Sequence, residues 1–176
     1  ALLYGYTVLL TDVDIVFLKD PFPYLSCSTC DIQIQSDNTE ANTGFYLARP
    51  TRAGISLHKM ALEVAARRAD LADQDTMNWA MEQMTRQGLL KVKTLSLDLF
   101  PNGKTYFEVG HRMFAGENPC KDCVIIHNNW IVSGAAKVYR FKEHLFWMLD
   151  TDGYYSNPYA KYLIYENPID FGNTTR

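Results

Sequence analysis

Residues Tyr4-Gly5-Tyr6-Thr7-Val8-Leu9-Leu10 form a continuous β-prone run without a polar face, and the run closes on Thr11-Asp12-Val13-Asp14. A strand lacking a polar side is one covered on both faces, as in the parallel sheets of α/β proteins. The segments that follow keep to that plan. Ile15-Val16-Phe17-Leu18 reads as a short strand stopped by Lys19-Asp20-Pro21, and Asp31-Ile32-Gln33-Ile34-Gln35 alternates as a half-exposed strand should. Gly44-Phe45-Tyr46-Leu47-Ala48 is a further buried strand. Leu57, Met60, Ala61 and Val64 recur at helical spacing and predict a helix over residues 51–69. Met77, Ala80, Met81 and Met84 do the same for a second helix, which Asp73 can cap and Gly88 ends. Lys91-Val92-Lys93-Thr94-Leu95 alternates as a strand, Phe100-Pro101-Asn102-Gly103 is a turn, and Cys123-Val124-Ile125-Ile126-His127 is another buried strand. Val138, Phe141, Leu145 and Leu149 predict a last amphipathic helix over residues 137–149. Strands alternating with helices predict an α/β fold with a mixed, mostly parallel sheet flanked by helices, reaching to about residue 152. Residues 153–176 are rich in Tyr, Asn and Pro and read as an irregular tail.

With 176 residues, 47% of them apolar, the chain can bury one substantial core, so a single domain is expected. A net charge of −3 and scattered Lys and Arg provide no basic field for a phosphate backbone, which argues against a nucleic-acid partner. No run approaches the roughly eighteen apolar residues of a membrane span. The chain opens without Met on what reads as an interior strand, so part of the domain is expected upstream. Its cysteines form two C-x-x-C pairs, Cys27/Cys30 and Cys120/Cys123. Paired thiolates on two knuckles could complete a zinc tetrahedron and staple an interaction domain. Disulfides, within or between the pairs, are the other reading, and they imply an oxidising compartment. The Asn173-Thr174-Thr175 sequon agrees with that compartment.

Three Asp-x-Asp triplets occur, Asp12/Asp14, Asp73/Asp75 and Asp150/Asp152, and about one is expected by chance in so Asp-rich a chain. Context separates them. Asp12 and Asp14 end a buried strand, where open α/β sheets bind their ligands. Two carboxylates held that close repel unless a divalent cation neutralises them, and such a cation can bridge diphosphate oxygens. His127, at another strand end, supplies a third candidate ligand of a type that suits Mn²⁺ or Zn²⁺. Asp73/Asp75 is explained by helix capping, and Asp150/Asp152 by solvation after a helix. Gly103-Lys104-Thr105 imitates the end of a phosphate loop, but Asp98 stands where its first Gly should be, so it reads as a turn.

Taken in order, Leu9 to Asp14, Asn42-Thr43-Gly44-Phe45, Asp73-Gln74-Asp75-x-x-Asn78, Phe100-Pro101-Asn102-Gly103 and His127-Asn128-Asn129-Trp130 resemble the nucleotide-diphospho-sugar transferases of the GT-A type, and glycosyltransferase family 77 in particular. The resemblance runs from about Tyr4 to Asp152 and implies retaining transfer of a sugar from a UDP-sugar to a glycan or glycoprotein hydroxyl, with Mn²⁺ or Mg²⁺ as cofactor. It implies metal ligands Asp12, Asp14 and His127, with Asp12 also touching the ribose or sugar. Asn42, Thr43 and Gly44 would face the donor, Asn42 and Asp73 would hold its sugar hydroxyls, and Gln74 would lie against the sugar face opposite the leaving group. The family further implies a type II membrane parent in the Golgi lumen. A catalytically inactive glycan-binding or scaffold module with the same fold is the alternative.

Overall fold

The computed structural model describes residues 1–109 and 120–147. In chain order the elements are β1 (Val8–Thr11), β2 (Ile15–Phe17), β3 (Ile32–Ser36), β4 (Ala41–Ala48), α1 (Arg52–Arg67), α2 (Asp73–Arg86), β5 (Val92–Leu95), a π-helical segment (Lys104–Val109), β6 (Ile125–His127) and α3 (Gly134–Glu143). The α/β class and the mixed sheet are as expected. The main sheet runs β1-β4-β3-β5, and β2 pairs with β6 in a separate ribbon.

Parallel pairing is scarcer than expected: among the described residues only β3 and β5 run parallel, while β1/β4, β3/β4 and β2/β6 are antiparallel. The short turn between β3 and β4 can only reverse the chain, and the passage from β4 through both helices brings β5 in antiparallel to β4 and so parallel to β3. The opening run also differs from its reading. Leu2–Tyr4 forms a 3-10 turn, and β1 is an edge strand with Leu10 and Thr11 exposed, so an apolar sequence here does not mean cover on both faces.

Both long helices form where the periodicity puts them. Thr51 caps α1 by accepting from the Gly54 amide. At α2, Ala72 takes the cap position, Asp73 is the first helical residue, and the Asp75 carboxylate reaches back to the Ala72 amide. The capping anion is thus Asp75, two residues beyond the expected one. Gly88, at φ 69°, lets the chain leave the helix in the left-handed region. Gly103-Lys104-Thr105 is not a plain turn, because it leads into the π-helical segment.

Alternation along the central strands sorts the side chains into layers. Ile32, Ile34, Tyr46 and Ala48 face the helices and pack with Leu57, Ala61, Met77, Ala80, Met81 and Met84. Phe45 and Leu47 face the other way, onto Leu25, Phe100, Val124 and Ile125. Each fully buried Leu, Ile or Phe contributes on the order of 2 kcal/mol, so both layers hold the sheet. Gln33 and Gln35 share that second direction and are buried, not half-exposed as the alternation suggested. The segments around Leu25 and Phe100 cover them and supply hydrogen bonds: Gln33 Nε2 donates to Leu25 O, and Gln35 Nε2 donates to Phe100 O and Pro101 O.

Cys27 is bonded to Cys30 and Cys120 to Cys123, with Cα separations of 5.5 and 5.3 Å. This overturns the zinc-stapled reading, since sulfurs bonded to each other offer no thiolate to an ion. Thiol titration of the unfolded, unreduced chain is expected to find no reactive sulfhydryl. Reduction should then destabilise the fold by on the order of 2 kcal/mol per four-residue loop, from restored chain entropy. Four reactive thiols before reduction would reinstate the zinc site. The Asp150/Asp152 pair, Leu149, the boundary at residue 152, the Tyr-rich tail and the Asn173 sequon lie outside the described residues.

Candidate active site

β1 belongs to the main sheet and β2 to the ribbon, so Asp12-Val13-Asp14 is the corner where the chain passes from one to the other. The backbone turns at Val13-Asp14. Val13 is fully exposed, whereas Asp12 and Asp14 each bring a carboxylate oxygen toward His127. Two backbone bonds pin the corner, from the Asp12 amide to Gly44 O at 2.7 Å and from the Asn128 amide to Asp14 O at 2.8 Å.

Register brings the remaining partners. Thr11 faces Phe45 across β1/β4, which sets Gly44 beside Asp12, and Ile15 faces His127 across β2/β6, which sets the imidazole beside Asp14. His127 Nε2 lies 3.6 Å from Asp12 Oδ2 and 3.5 Å from Asp14 Oδ1, and the three ligand atoms fall within 4.8 Å of one another. Side-chain exposure is 54% for Asp12, 12% for Asp14 and 2% for His127, so the group opens to solvent on the Asp12 side.

These distances exceed a normal hydrogen bond. Buried Nε2 has no hydrogen-bond partner, while Nδ1 is 2.8 Å from Gln35 Oε1. One imidazole nitrogen and two carboxylates facing a common point, one of them an orphaned buried atom, form a donor set that fits a divalent cation. Asp14 Oδ2 also accepts from Lys137 Nζ at 2.6 Å. Burial pushes the Asp14 carboxyl up, but the imidazole whenever it is protonated and the Lys137 ammonium bonded to Oδ2 outweigh it and hold the group below the usual carboxylate range.

Gly44 is required by space. A Cβ there would stand 2.5 Å from Asp12 Oδ2 and 2.5 Å from His127 Cε1. Asn42 is buried and its Oδ1 accepts from the Gly44 amide at 2.8 Å, which fixes this stretch of β4. The Thr43 amide approaches Gln74 Oε1 at 3.4 Å, joining α2 to the same stretch. Gln74 Nε2 donates to Glu40 Oε1 at 2.8 Å. Asp73 is exposed at the start of α2, its Oδ1 accepting the Gln74 amide, and with burial its charge raises the Tyr46 hydroxyl. The structure thus joins Asp12, Asp14, His127 and Gly44 directly, and Asn42, Thr43 and Gln74 through β4. Asp73 is exposed and adjoins Gln74 through the Gln74 amide.

Four residues here escaped the sequence reading. Gln35 looked like a solvent-facing strand residue. Asp37 receives Asn102 Nδ2, Asn129 Nδ2 and Trp130 Nε1 on a single oxygen, at 3.0, 3.3 and 2.7 Å, tying the loop after β3 to the Phe100-Gly103 turn and to the loop after β6. That turn is itself fixed by Gly103, whose amide donates to Asn129 Oδ1. Lys137 and Arg140 lie one helical turn apart on α3, and Arg140 donates to Asn128 Oδ1 and Asn129 O. The only signal for these cations was the basic spacing of α3.

The family model of nucleotide-diphospho-sugar transferases matches residues 2–141. The chain belongs to that family. Among similar curated members are UDP-D-xylose:L-fucose alpha-1,3-D-xylosyltransferase MGP4 of Arabidopsis thaliana, 29% identical over 83% of this chain and 46% of the relative, and UDP-galactose:fucoside alpha-3-galactosyltransferase of Dictyostelium discoideum, 26% identical over 84% and 26%. Beta-arabinofuranosyltransferase RAY1 of Arabidopsis thaliana is 31% identical over 83% and 31%. This chain therefore spans about half, or less, of the length of the relatives it matches. Among solved structures, the glycosyltransferase GlyE of Streptococcus pneumoniae TIGR4 superposes on 90% of the chain and 44% of its own, with TM-score 0.52 and 13% identity, a likeness of fold. The GT-A-type assignment made from five ordered motifs stands, and glycosyl transfer is the activity of the family.

Proposed function

We propose that this chain carries the metal and donor-sugar site of a retaining, metal-dependent glycosyltransferase that uses a UDP-sugar and a glycan or glycoprotein hydroxyl. The observation that supports it most is the convergence of Asp12, Asp14 and the orphaned His127 Nε2 at one corner of the fold. Mn²⁺ or Mg²⁺ held by these three would supply charge neutralisation for a departing diphosphate.

The chain's own groups fill the remaining roles. Lys137, beside Asp14, offers a second cation to diphosphate oxygens. Asp12, the most open of the three ligands, can also meet the ribose or sugar. Asp73 at the start of α2 and the Asn42-Thr43-Gly44 stretch bind donor hydroxyls. Gln74, held through both ends of its amide, presents a fixed dipole to the sugar. An amide forms no stable glycosyl ester, so its contribution to a cationic sugar centre is electrostatic. The acceptor hydroxyl enters on the face the leaving group vacates, and its proton passes to the leaving diphosphate oxygen.

Relatives named for UDP-xylose and UDP-galactose support a UDP-sugar donor. Two disulfides support an oxidising lumen, and we place the parent protein in the Golgi as a type II membrane protein. No helix among the described residues is long and apolar enough to cross a membrane. The inactive glycan-binding alternative would be favoured by loss of a ligand, and all three are present. Calorimetry decides between the two readings: UDP is expected to bind with Mn²⁺ present and to release no heat in EDTA. Equal binding in both conditions would sink metal dependence, and no binding in either would favour the inactive module.

A further inference from the structure

We infer that Gln35 is a positioning residue that fixes the tautomer of His127 and so aims the Nε2 lone pair at the two carboxylates. The inference rests on the metal reading above but concerns a residue two strands away from the acidic corner.

The amide of Gln35 can be oriented in one way only. Its nitrogen lies 3.0 Å from Phe100 O and 3.1 Å from Pro101 O, and an oxygen in that place would face two carbonyl oxygens. Gln35 Oε1 is therefore the atom 2.8 Å from His127 Nδ1, and an amide oxygen can only accept. The proton of the neutral ring sits on Nδ1. Nε2 is left as a bare acceptor, facing Asp12 and Asp14, which are acceptors themselves. With the neutral ring, three acceptors around one point repel one another, and a cation between them relieves that repulsion. Ligating imidazoles generally owe their orientation to a partner on the second nitrogen, and loss of that partner weakens metal binding by about 10–100-fold.

Backbone register serves the same end. The β3/β4 pairing jumps from Ile34↔Tyr46 to Gln35↔Asn42, so an irregularity falls at Gln35 itself. Pro101 O accepts from the His127 amide as well as from the Gln35 side chain. Ring and backbone of His127 are thus held by one Gln35-Pro101 pair. Gln35 is fully buried, so bulk solvent does not reach its amide.

The test begins with the unsubstituted chain, without metal, above neutral pH. Nitrogen-resolved NMR of the His127 ring is expected to show a protonated Nδ1 and an unprotonated Nε2. A protonated Nε2, alone or together with Nδ1, overturns the inference whatever the behaviour of any variant. Mn²⁺ binding, followed by electron paramagnetic resonance without UDP, then compares Gln35→Leu and Gln35→Glu. Both lose the two hydrogen bonds to Phe100 O and Pro101 O, and both should lose thermal stability. Only Glu keeps an acceptor for Nδ1–H. Gln35→Leu is expected to weaken Mn²⁺ binding about 10–100-fold and to release the tautomer, while Gln35→Glu stays within a few-fold of the parent. Equal losses in the two variants, or undiminished binding by Gln35→Leu, reduce Gln35 to a structural residue and overturn the inference. Failure of the unsubstituted chain to bind Mn²⁺ is a separate result, because it removes the metal reading before any substitution is made.

Discussion

Asp14→Ala should abolish Mn²⁺-dependent binding of UDP. Asp14 is the only member of the acidic corner that serves two partners, with Oδ1 toward His127 and Oδ2 on Lys137. Removing it takes away a ligand and one negative charge, and leaves the Lys137 ammonium facing the place a cation would occupy. The loss should exceed the roughly 10–100-fold that follows removal of an outer partner. Effects on folding should be small by comparison, because the Lys137 amine is partly exposed and solvent screens the pair. The informative result is therefore the combination: metal-dependent heat gone in calorimetry, thermal transition nearly unchanged. Retention of Mn²⁺-dependent UDP binding by Asp14→Ala would show that the corner is not the metal site. Glu63→Ala, which removes an exposed carboxylate on α1, is the control for net charge and should change neither quantity.

A second large effect is expected from adding one methyl group, in Gly44→Ala. The new Cβ would meet Asp12 Oδ2 and His127 Cε1 at 2.5 Å, and Asn42 Oδ1 at 3.0 Å. Something must yield. His127 is buried and anchored by Gln35, so the ring has nowhere to go, whereas Asp12 is half exposed and can swing into solvent. Alanine should therefore evict Asp12 from the ligand set. Mn²⁺ affinity should fall at least ~10-fold, and overpacking should destabilise the chain by about 1–3 kcal/mol. This variant differs from Asp14→Ala in losing both affinity and melting temperature. Parent-like metal binding in Gly44→Ala would mean that the ring and the carboxylate do not converge as described.

The parts of this site that could be read from the sequence are those written as contiguous motifs. Asp12-Val13-Asp14, Asn42-Thr43-Gly44 and His127 each sit at a strand end, and ligand chemistry at strand ends follows from how α/β sheets are built. Helices α1 and α2 were legible because Leu57, Met77 and their neighbours repeat at a period no strand can have. Gln35 was not legible, because a polar residue between isoleucines has the same pattern whether it meets water or a second layer of protein. Only the segments around Leu25 and Phe100, distant in sequence, decide which. Asp37 was hidden for a similar reason: its three donors come from positions 102, 129 and 130, and no local periodicity encodes their meeting. The opening strand misled because composition reports how apolar a segment is and says nothing of how many neighbours it has. Strand direction was missed as well, since it depends on which strands distant in sequence become neighbours, as β1 does with β4 and β2 with β6.

The two faces of β3 have a consequence for quality control during folding. Ile32 and Ile34 belong to the Met-rich helical core, and Gln33 and Gln35 face the second layer, where Gln35 holds His127. A slip of one residue in pairing would exchange them, driving amides among methionines and isoleucines against the imidazole. Such a chain would forfeit hydrophobic cohesion and ligand geometry in the same event. Mispaired copies should consequently be unstable as well as inert, which leaves little room for a long-lived decoy that folds soundly yet cannot hold its ion.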